Sequence, residues 1–380
     1  MIFMKYLITS ESVSEGHPDK MCDQISDAIL DACLEQDPES RVACECLVTT
    51  GTIIVSWEIT TNAWVNFQDI ARKVAKEIGY DSLEAWFSAD DVSVQILINS
   101  QSPDIAQWVD TWWAWDQWIM FGYATNETEN YLPLSISLAH KLIKKAEEVR
   151  KNKVLDYLLP DAKAQVTIEF ENHIPKRVDT IVLSNQHKES VSLEELQKWI
   201  LEEIIKPVIW DLLDENTKLH INPTGRFVIG WPKWDCGLTW RKIIVDTYGW
   251  IGRHGWGAFS WKDPSKVDRS GAYIARYIAK NIVASWVCDK CEVQLGYAIW
   301  VAKPVSIYVN TFNTEKVSIE SIIEVIENNF DLTPAWIIKT LDLKKPIYRK
   351  TATWWHFGRD DVSWEKVDKK EVFEKLLNKE

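Results

Sequence analysis

Apolar residues recur at two different spacings along the chain, and the switches between them mark the elements. From Met21 to Gln36, Ile25, Ala28, Ile29, Ala32 and Cys33 fall on one face at helical spacing, which predicts a helix. Arg41 to Thr49 changes to period two, with Val42, Cys44, Cys46 and Val48 on one side of a strand. Gly51 then turns the chain into a second strand over Thr52 to Ile59. Phe67 to Ile78 reads as a helix and Val92 to Ile98 as a buried strand. Gln101 to Gln117 keeps neither period and is rich in Trp, Asp and Gln. Beyond it come a helix over Leu134 to Arg150, strands over Ala164 to Phe170 and Arg177 to Leu183, and a helix over Leu193 to Ile205 that Pro207 should end. The pattern restarts after Asn222-Pro223-Thr224-Gly225. It then gives a helix over Gly271 to Ala284, strands over Glu292 to Ile299 and Val305 to Asn310, and a helix over Ile319 to Asn328. The Lys-rich tail from Lys366 reads as the solvated face of a terminal helix. Three stretches of similar content make this an α+β chain.

Length and charge narrow the class. With 380 residues the chain has room for two or three domains. A net charge of -13 argues against a general nucleic-acid binder, because phosphate backbones select basic surfaces. No apolar run approaches the roughly 20 residues that span a bilayer, and Met1 to Ile8 is too short for a signal peptide. A cytoplasmic protein with neither membrane nor nucleic-acid partners is expected. Of the seven cysteines, Cys288 and Cys291 form one CxxC without a matching second pair, so reduced thiols are expected rather than a zinc site.

Tryptophan is the anomaly. The chain holds 22 tryptophans and only 14 glycines, whereas glycine ordinarily makes up about 7% of residues. Tryptophan also sits inside glycine-like strings, as in Gly230-Trp231-Pro232, Gly255-Trp256-Gly257 and Trp112-Trp113-Ala114-Trp115. Three readings compete: an aromatic binding surface, a tryptophan-packed core, and UGA codons that mean glycine but are written as tryptophan. Only the third explains tryptophan beside glycine in loop-like strings.

Candidate chemistry gathers in a few segments. His17-Pro18-Asp19-Lys20 joins an imidazole, a carboxylate and an ammonium just before a helix, a composition suited to a phosphate and Mg²⁺. Gly255 to Lys266, read with glycine at 256 and 261, becomes a glycine run followed by Lys262 and Lys266, whose backbone N–H groups could approach phosphate oxygens. That string even satisfies GxxxxGK. However, Asp263 stands where a P-loop carries Ser or Thr, and no strand–loop–helix unit frames it, so an ordinary P-loop NTPase is rejected. Asp235 to Lys242 supplies Arg241 and Lys242, and Asp161-Ala162-Lys163 precedes a strand. Summed, Lys163, Arg241, Lys242, Lys262 and Lys266 form a basic set suited to a triphosphate inside an acidic protein.

The ten residues Ser10 to Asp19, with Lys20, resemble the opening motif of the S-adenosylmethionine synthetase family. Similar strings follow in order at Gly122 to Thr128, Asn222 to Gly230, Lys242 to Gly249, Gly255 to Lys266 and His356 to Arg359, so the resemblance spans nearly the whole chain. It implies three similar α/β domains around a pseudo-threefold axis, here bounded at 1–103, 104–229 and 230–380, with a gating loop near 101–118. It implies that ATP and L-methionine give S-adenosylmethionine, with two Mg²⁺ per site and K⁺, in a homodimer or homotetramer whose sites lie between subunits. Carried over, His17, Lys163, Arg241, Lys242, Lys262 and Lys266 are catalytic. Asp161, Ala162, Arg226, Phe227, Asp235 and Ala258 join His17, Lys163, Arg241, Lys242 and Lys262 in binding ATP. Glu58, Gln101, Asp116, Asp235 and Lys266 face methionine. Asp19 and Asp268 ligate Mg²⁺ and Glu45 binds K⁺.

Against the family's pattern, sixteen tryptophans fall on expected glycines: Trp57, Trp86, Trp108, Trp113, Trp115, Trp118, Trp231, Trp234, Trp240, Trp250, Trp256, Trp261, Trp286, Trp300, Trp336 and Trp355. Trp64 and Trp364 read as native, and Trp112, Trp199, Trp210 and Trp354 have no assignment. Two other functions compete: a catalytically inactive regulatory paralogue of the same fold, and an aromatic ligand-binding module. The intact His17, Asp19, Lys163, Arg241, Lys262 and Lys266 argue against the inactive paralogue, and the codons at Trp231, Trp256 and Trp261 discriminate among all three readings.

Overall fold

The computed structural model describes residues 4–100 and 117–378. The first strand, β1 (Lys5–Val13), is one that apolar periodicity does not announce. It runs antiparallel to β6 (Leu158–Glu171), from Lys5 opposite Glu171 to Val13 opposite Lys163. Its buried side is Tyr6 and Ile8 followed by Ser10 and Ser12, so half of the core face is polar and hides the alternation. The serines are satisfied inside: Ser10 Oγ bonds Ser135 Oγ at 2.8 Å and Ser12 Oγ bonds His140 Nδ1 at 2.8 Å.

Three sheets result. The first has the order β1-β6-β7-β8, with β7 at Ile174–His187 and β8 at Lys218–Ile221. The second is β4-β3-β2-β9, built from Arg41–Thr49 (β2), Thr52–Thr60 (β3), Ser93–Asn99 (β4) and Gly237–Leu238 (β9). The third is β11-β10-β5, from Trp118–Thr125 (β5), Lys290–Tyr297 (β10) and Ser306–Asn310 (β11). Each sheet takes one strand from a distant part of the chain, so β1, β9 and β5 stitch the molecule together.

Among the helices, α1 (Pro18–Gln36) packs on β2, α2 (Phe67–Ile78) on α1, and α3 (Leu134–Lys151) on β1 and β6. After α4 (Leu193–Ile200) the helix does not end before Pro207. It passes through a π turn at Leu201–Ile205 and continues over Lys206–Ile209, where Pro207 sits in a first turn and needs no N–H donor. Helix α5 (Val267–Ala284) is buried along its whole length and starts four residues before the expected Gly271. Its charged side chains are paired: Arg269 with Asp27 at 2.8 Å, and Arg276 and Lys280 with Glu365 at 2.8 and 2.7 Å. Helix α6 (Ile319–Asn329) follows. The terminal helix α7 (Lys370–Leu377) buries Phe373 and Leu376, so its Lys-rich face is solvated but its apolar face docks.

One expectation fails at β4. Val92 itself is buried, but the strand Ser93–Asn99 is an edge with Leu97 57% and Ile96 36% exposed. Its apolar run reads as core because periodicity cannot distinguish a buried strand from an exposed edge strand. The face of this sheet opposite α1 carries Ala43, Glu45 and Leu47, Ile54, Ser56 and Glu58, then Gln95 and Leu97.

Candidate active site

The residues singled out in the sequence gather into two clusters on opposite stretches of α1. The first forms where α1 begins. His17 is the N-cap, 4% exposed, and its Nδ1 accepts the Asp19 N–H at 3.2 Å. A neutral ring with Nδ1 as acceptor carries its proton on Nε2. Burial first, and then the positive charges of Lys242, Lys163 and Arg241, hold the imidazole well below its ordinary pKa. Asp19 Oδ1 accepts from Leu238 N–H at 2.9 Å, while Oδ2 pairs with Lys242 and Arg241 Nη1 lies 3.8 Å from Oδ1.

The strand pair β1–β6 brings the next residues beside them. Ser14 N–H donates to Ala162 O at 2.9 Å and Ala162 N–H donates to Ser14 Oγ at 2.8 Å, which fixes Asp161-Ala162-Lys163 against the His17 loop. Lys163 Nζ reaches Glu11 at 2.8 Å. Burial pushes the Asp161 carboxyl up to about 7, against the Trp231 N–H that donates to it at 2.8 Å. Phe227 is held by His187, whose Nε2 accepts its N–H at 3.1 Å. His17, Asp161, Ala162, Lys163, Phe227 and Trp231 line a cavity of about 110 Å³. Trp231 forms one wall, its ring 5.5 Å from the His17 ring. Arg226 points away to Glu189, and Asp235 is exposed, capped by Cys236 N–H at 2.7 Å.

The second cluster lies on the sheet β4-β3-β2-β9. Segment 261–263 runs along β2: Cys44 N–H donates to Trp261 O at 3.0 Å, Asp263 N–H to Val42 O at 3.0 Å, and Val42 N–H to Asp263 Oδ2 at 2.7 Å. This puts buried Lys262 opposite Ala43, and Ala43 is also opposite Glu58. Glu45 lies two residues along; burial raises its pKa, against the opposing charge of Lys262. Lys262 pairs with Asp268 in the first turn of α5, and Lys266 Nζ with Asp263 at 2.5 Å. The second oxygen of Asp268 is buried without a hydrogen-bond partner. Ala258 is buried close by in sequence.

The clusters are separated by α1. Asp19 lies in its first turn, whereas Asp27 accepts Trp261 N–H at 3.2 Å beside the second cluster. Eight residues of α-helix between them rise about 12 Å. Gln101 and Asp116 lie outside the described residues, as does the expected gating loop up to residue 116. Among the described residues, no group of three or more His, Cys, Asp or Glu could hold a metal ion by itself, and no helix is long and apolar enough to cross a membrane.

Lys20, grouped in the sequence with His17 and Asp19 as a phosphate-suited ammonium, instead faces inward into a buried network that supports the first cluster. Lys20 is fully buried and bonds Asp246 at 2.7 Å and Asp23 at 3.3 Å, and Asp23 accepts Trp240 N–H at 3.0 Å. It thereby sets the segment that carries Arg241 and Lys242. The signal was present as charges on the inner face of an otherwise apolar helix.

Three family models cover the chain in order: S-adenosylmethionine synthetase N-terminal domain over residues 5–103, central domain over 112–227 and C-terminal domain over 229–366. The S-adenosylmethionine synthase of Clostridium botulinum (strain Alaska E43 / Type E3) is 54% identical over 391 aligned residues, which take in 98% of this chain and all of that protein. The S-adenosylmethionine synthase of Clostridium tetani is 54% identical with the same coverage, and that of Finegoldia magna 53% identical over 97% of this chain and 99% of its own length.

Proposed function

Since the chain belongs to the S-adenosylmethionine synthetase family and is a methionine adenosyltransferase, we propose how its residues divide that reaction. The methionine sulfur attacks C5′ of ATP; a sulfur–carbon bond forms, the C5′–O bond breaks, and its electron pair leaves on the triphosphate. A thioether sulfur needs no general base. The protein's task is to hold the sulfur in line and to stabilise the departing charge. His17 donates its Nε2 proton as a hydrogen bond to the triphosphate near the reacting carbon. Lys163, Arg241 and Lys242 surround it from the same chain. Asp161, Ala162, Arg226, Phe227, Asp235 and Ala258 hold the nucleotide, and Glu58, Gln101, Asp116, Asp235 and Lys266 face methionine. Water then cleaves the triphosphate to phosphate and diphosphate. The observation that supports this reading is that Lys163 lines the cavity at buried His17 while Lys242 and Arg241 meet the neighbouring Asp19.

Asp19 and Asp268 are the proposed holders of two Mg²⁺ and Glu45 of K⁺. The unpartnered buried oxygen of Asp268 fits such a role, and few protein ligands are needed where phosphates complete the shell. Bound Mg²⁺ would neutralise charge on the leaving triphosphate.

Because α1 keeps Lys262 and Lys266 away from His17 within one chain, we assign them to the site of a second copy. The open face of β2–β4, which bears Glu45, Glu58 and exposed Leu97, is the proposed surface between copies. We propose a homodimer or homotetramer in the cytoplasm, with domain boundaries at 103/104 and 229/230.

The test mixes two damaged chains, each with glycine at the sixteen matched tryptophans. His17→Ala and Lys262→Ala should each lower kcat about 10²–10³-fold with little change in KM for ATP. Mixed under conditions where subunits exchange, they should recover part of the activity through one intact shared site. Exchange without recovery would remove the interface assignment, and ADP as nucleotide product would remove the attack at C5′.

A further inference from the structure

The backbone sorts the tryptophans into two populations. Trp57, Trp86, Trp240, Trp250, Trp256, Trp261, Trp286 and Trp300 have φ between 61° and 103°, in the left-handed region. The other described tryptophans do not. In that region the Cβ of an L-residue crowds the following carbonyl, and glycine alone escapes the penalty. Ring character does not explain the pattern, since among the described tyrosines and phenylalanines only Tyr131 and Phe312 share it. Eight tryptophans but only five glycines of the described chain have positive φ. All eight belong to the sixteen that fall on family glycines.

The fold uses the backbone of several of these residues. Trp240 N–H donates to Asp23, Trp256 N–H to His254 at 2.8 Å, Trp261 N–H to Asp27, and Trp261 O accepts from Cys44 N–H. The rings project outward, Trp256 being 74% exposed, or sit half-buried with an unpartnered indole N–H, as in Trp261. Trp364 behaves in the opposite way. It is fully buried, stacks on Tyr273 at 3.9 Å and donates its indole N–H to His356 O at 2.8 Å.

We infer that the protein working in its source carries glycine at these eight positions, UGA being decoded there as glycine, while Trp364 is a UGG tryptophan. For the site, and resting on the function proposed above, glycine at 261 opens one side of the Lys262 cluster, and glycine also at 118 and 231, which lack positive φ but fall on family glycines, opens the rest of that cluster and the cluster at His17. The rings of Trp261 and Trp118 lie 4.5 and 5.0 Å from Lys262 Nζ, and Trp231 walls the cavity at His17. Glycine at 261, 118 and 231 uncovers both the ammonium and the imidazole.

The deciding measurement is peptide sequencing of the protein purified from its own cells, together with the codons. Glycine at the eight positions and tryptophan at 364 is expected, and tryptophan at the eight overturns the inference. Two recombinant chains add a second readout. Glycine at the eight should raise the melting temperature by about 10 °C or more over the chain as written, and an unchanged or lower value counts against it. Starting from a chain with glycine at the sixteen matched sites, restoring tryptophan at 231 alone should weaken binding of inorganic tripolyphosphate at least about tenfold, and unchanged binding overturns the opening of the site. Native glycine peptides in a protein that makes no S-adenosylmethionine would defeat the function reading and leave the decoding intact.

Discussion

At the scale of single residues, what matters is where a side chain is forced against its own preference. A left-handed backbone costs a non-glycine residue roughly 1–2 kcal/mol, so eight such tryptophans oppose folding by an amount comparable to the about 5–15 kcal/mol that holds a domain together. Buried carboxylates show the same tension in another form. Asp31 accepts N–H groups of Tyr348 and Arg349, each at 2.9 Å, yet burial prevails and lifts its carboxyl to about 7. A carboxyl raised in the folded state contributes stability below its unfolded pKa near 4, and that contribution fades as pH climbs to about 7. The Asp31→Asn protein should therefore gain on its parent as pH rises from about 4 to about 7, by at most about 1.4 kcal/mol per pH unit. Urea titrations of both at pH 4.5, 6 and 7.5 check this; a constant difference would mean Asp31 is ionised throughout.

At the scale of elements, α1 organises both clusters, and it does so through charges on its inner face. Lys20, Asp23 and Asp27 reach Asp246, Trp240 N–H, Trp261 N–H and Arg269. Apolar packing could anchor a helix as well, but it could not orient the segment bearing Arg241 and Lys242 by hydrogen bonds. Lys20→Met keeps the volume and leaves the Asp23 and Asp246 carboxylates buried without their cation. Breaking a buried pair from one side costs about 3–5 kcal/mol. Chemical denaturation should show a loss of that size, and Lys20→Met combined with Asp246→Asn should recover part of it. A loss below about 1 kcal/mol would mean water reaches the network.

At the scale of the whole molecule, strand exchange and an uncovered sheet are the two leading features. β1, β5 and β9 each complete a sheet whose other strands lie elsewhere in the chain, so the sheets should unfold together. The β2–β4 face displays Leu97 and Ile54 beside Glu45 and Glu58, a mixture that suits a partner surface more than open water. Leu97→Glu should shift the protein toward monomer in sedimentation velocity and lower activity in proportion to the dimer lost. A Leu97→Glu chain that stays dimeric and active would move the interface elsewhere.

The sequence by itself determined the family, the reaction and most helices and inner strands, because those depend on local periodicity and on motifs that survive intact, such as Ser10 to Lys20 and Asn222 to Gly230. It also marked the tryptophans as misplaced. Tertiary structure alone decided the rest. β1 was hidden because serines stand on its core face, and their partners lie more than a hundred residues away. β4 read as buried because an apolar run looks the same whether it lies inside a sheet or at its exposed edge. The helix ran past Pro207 because a π turn let proline start a new turn rather than end the old one. The separation of His17 from Lys262 along α1 depends on how distant segments are held together, and no local pattern encodes that.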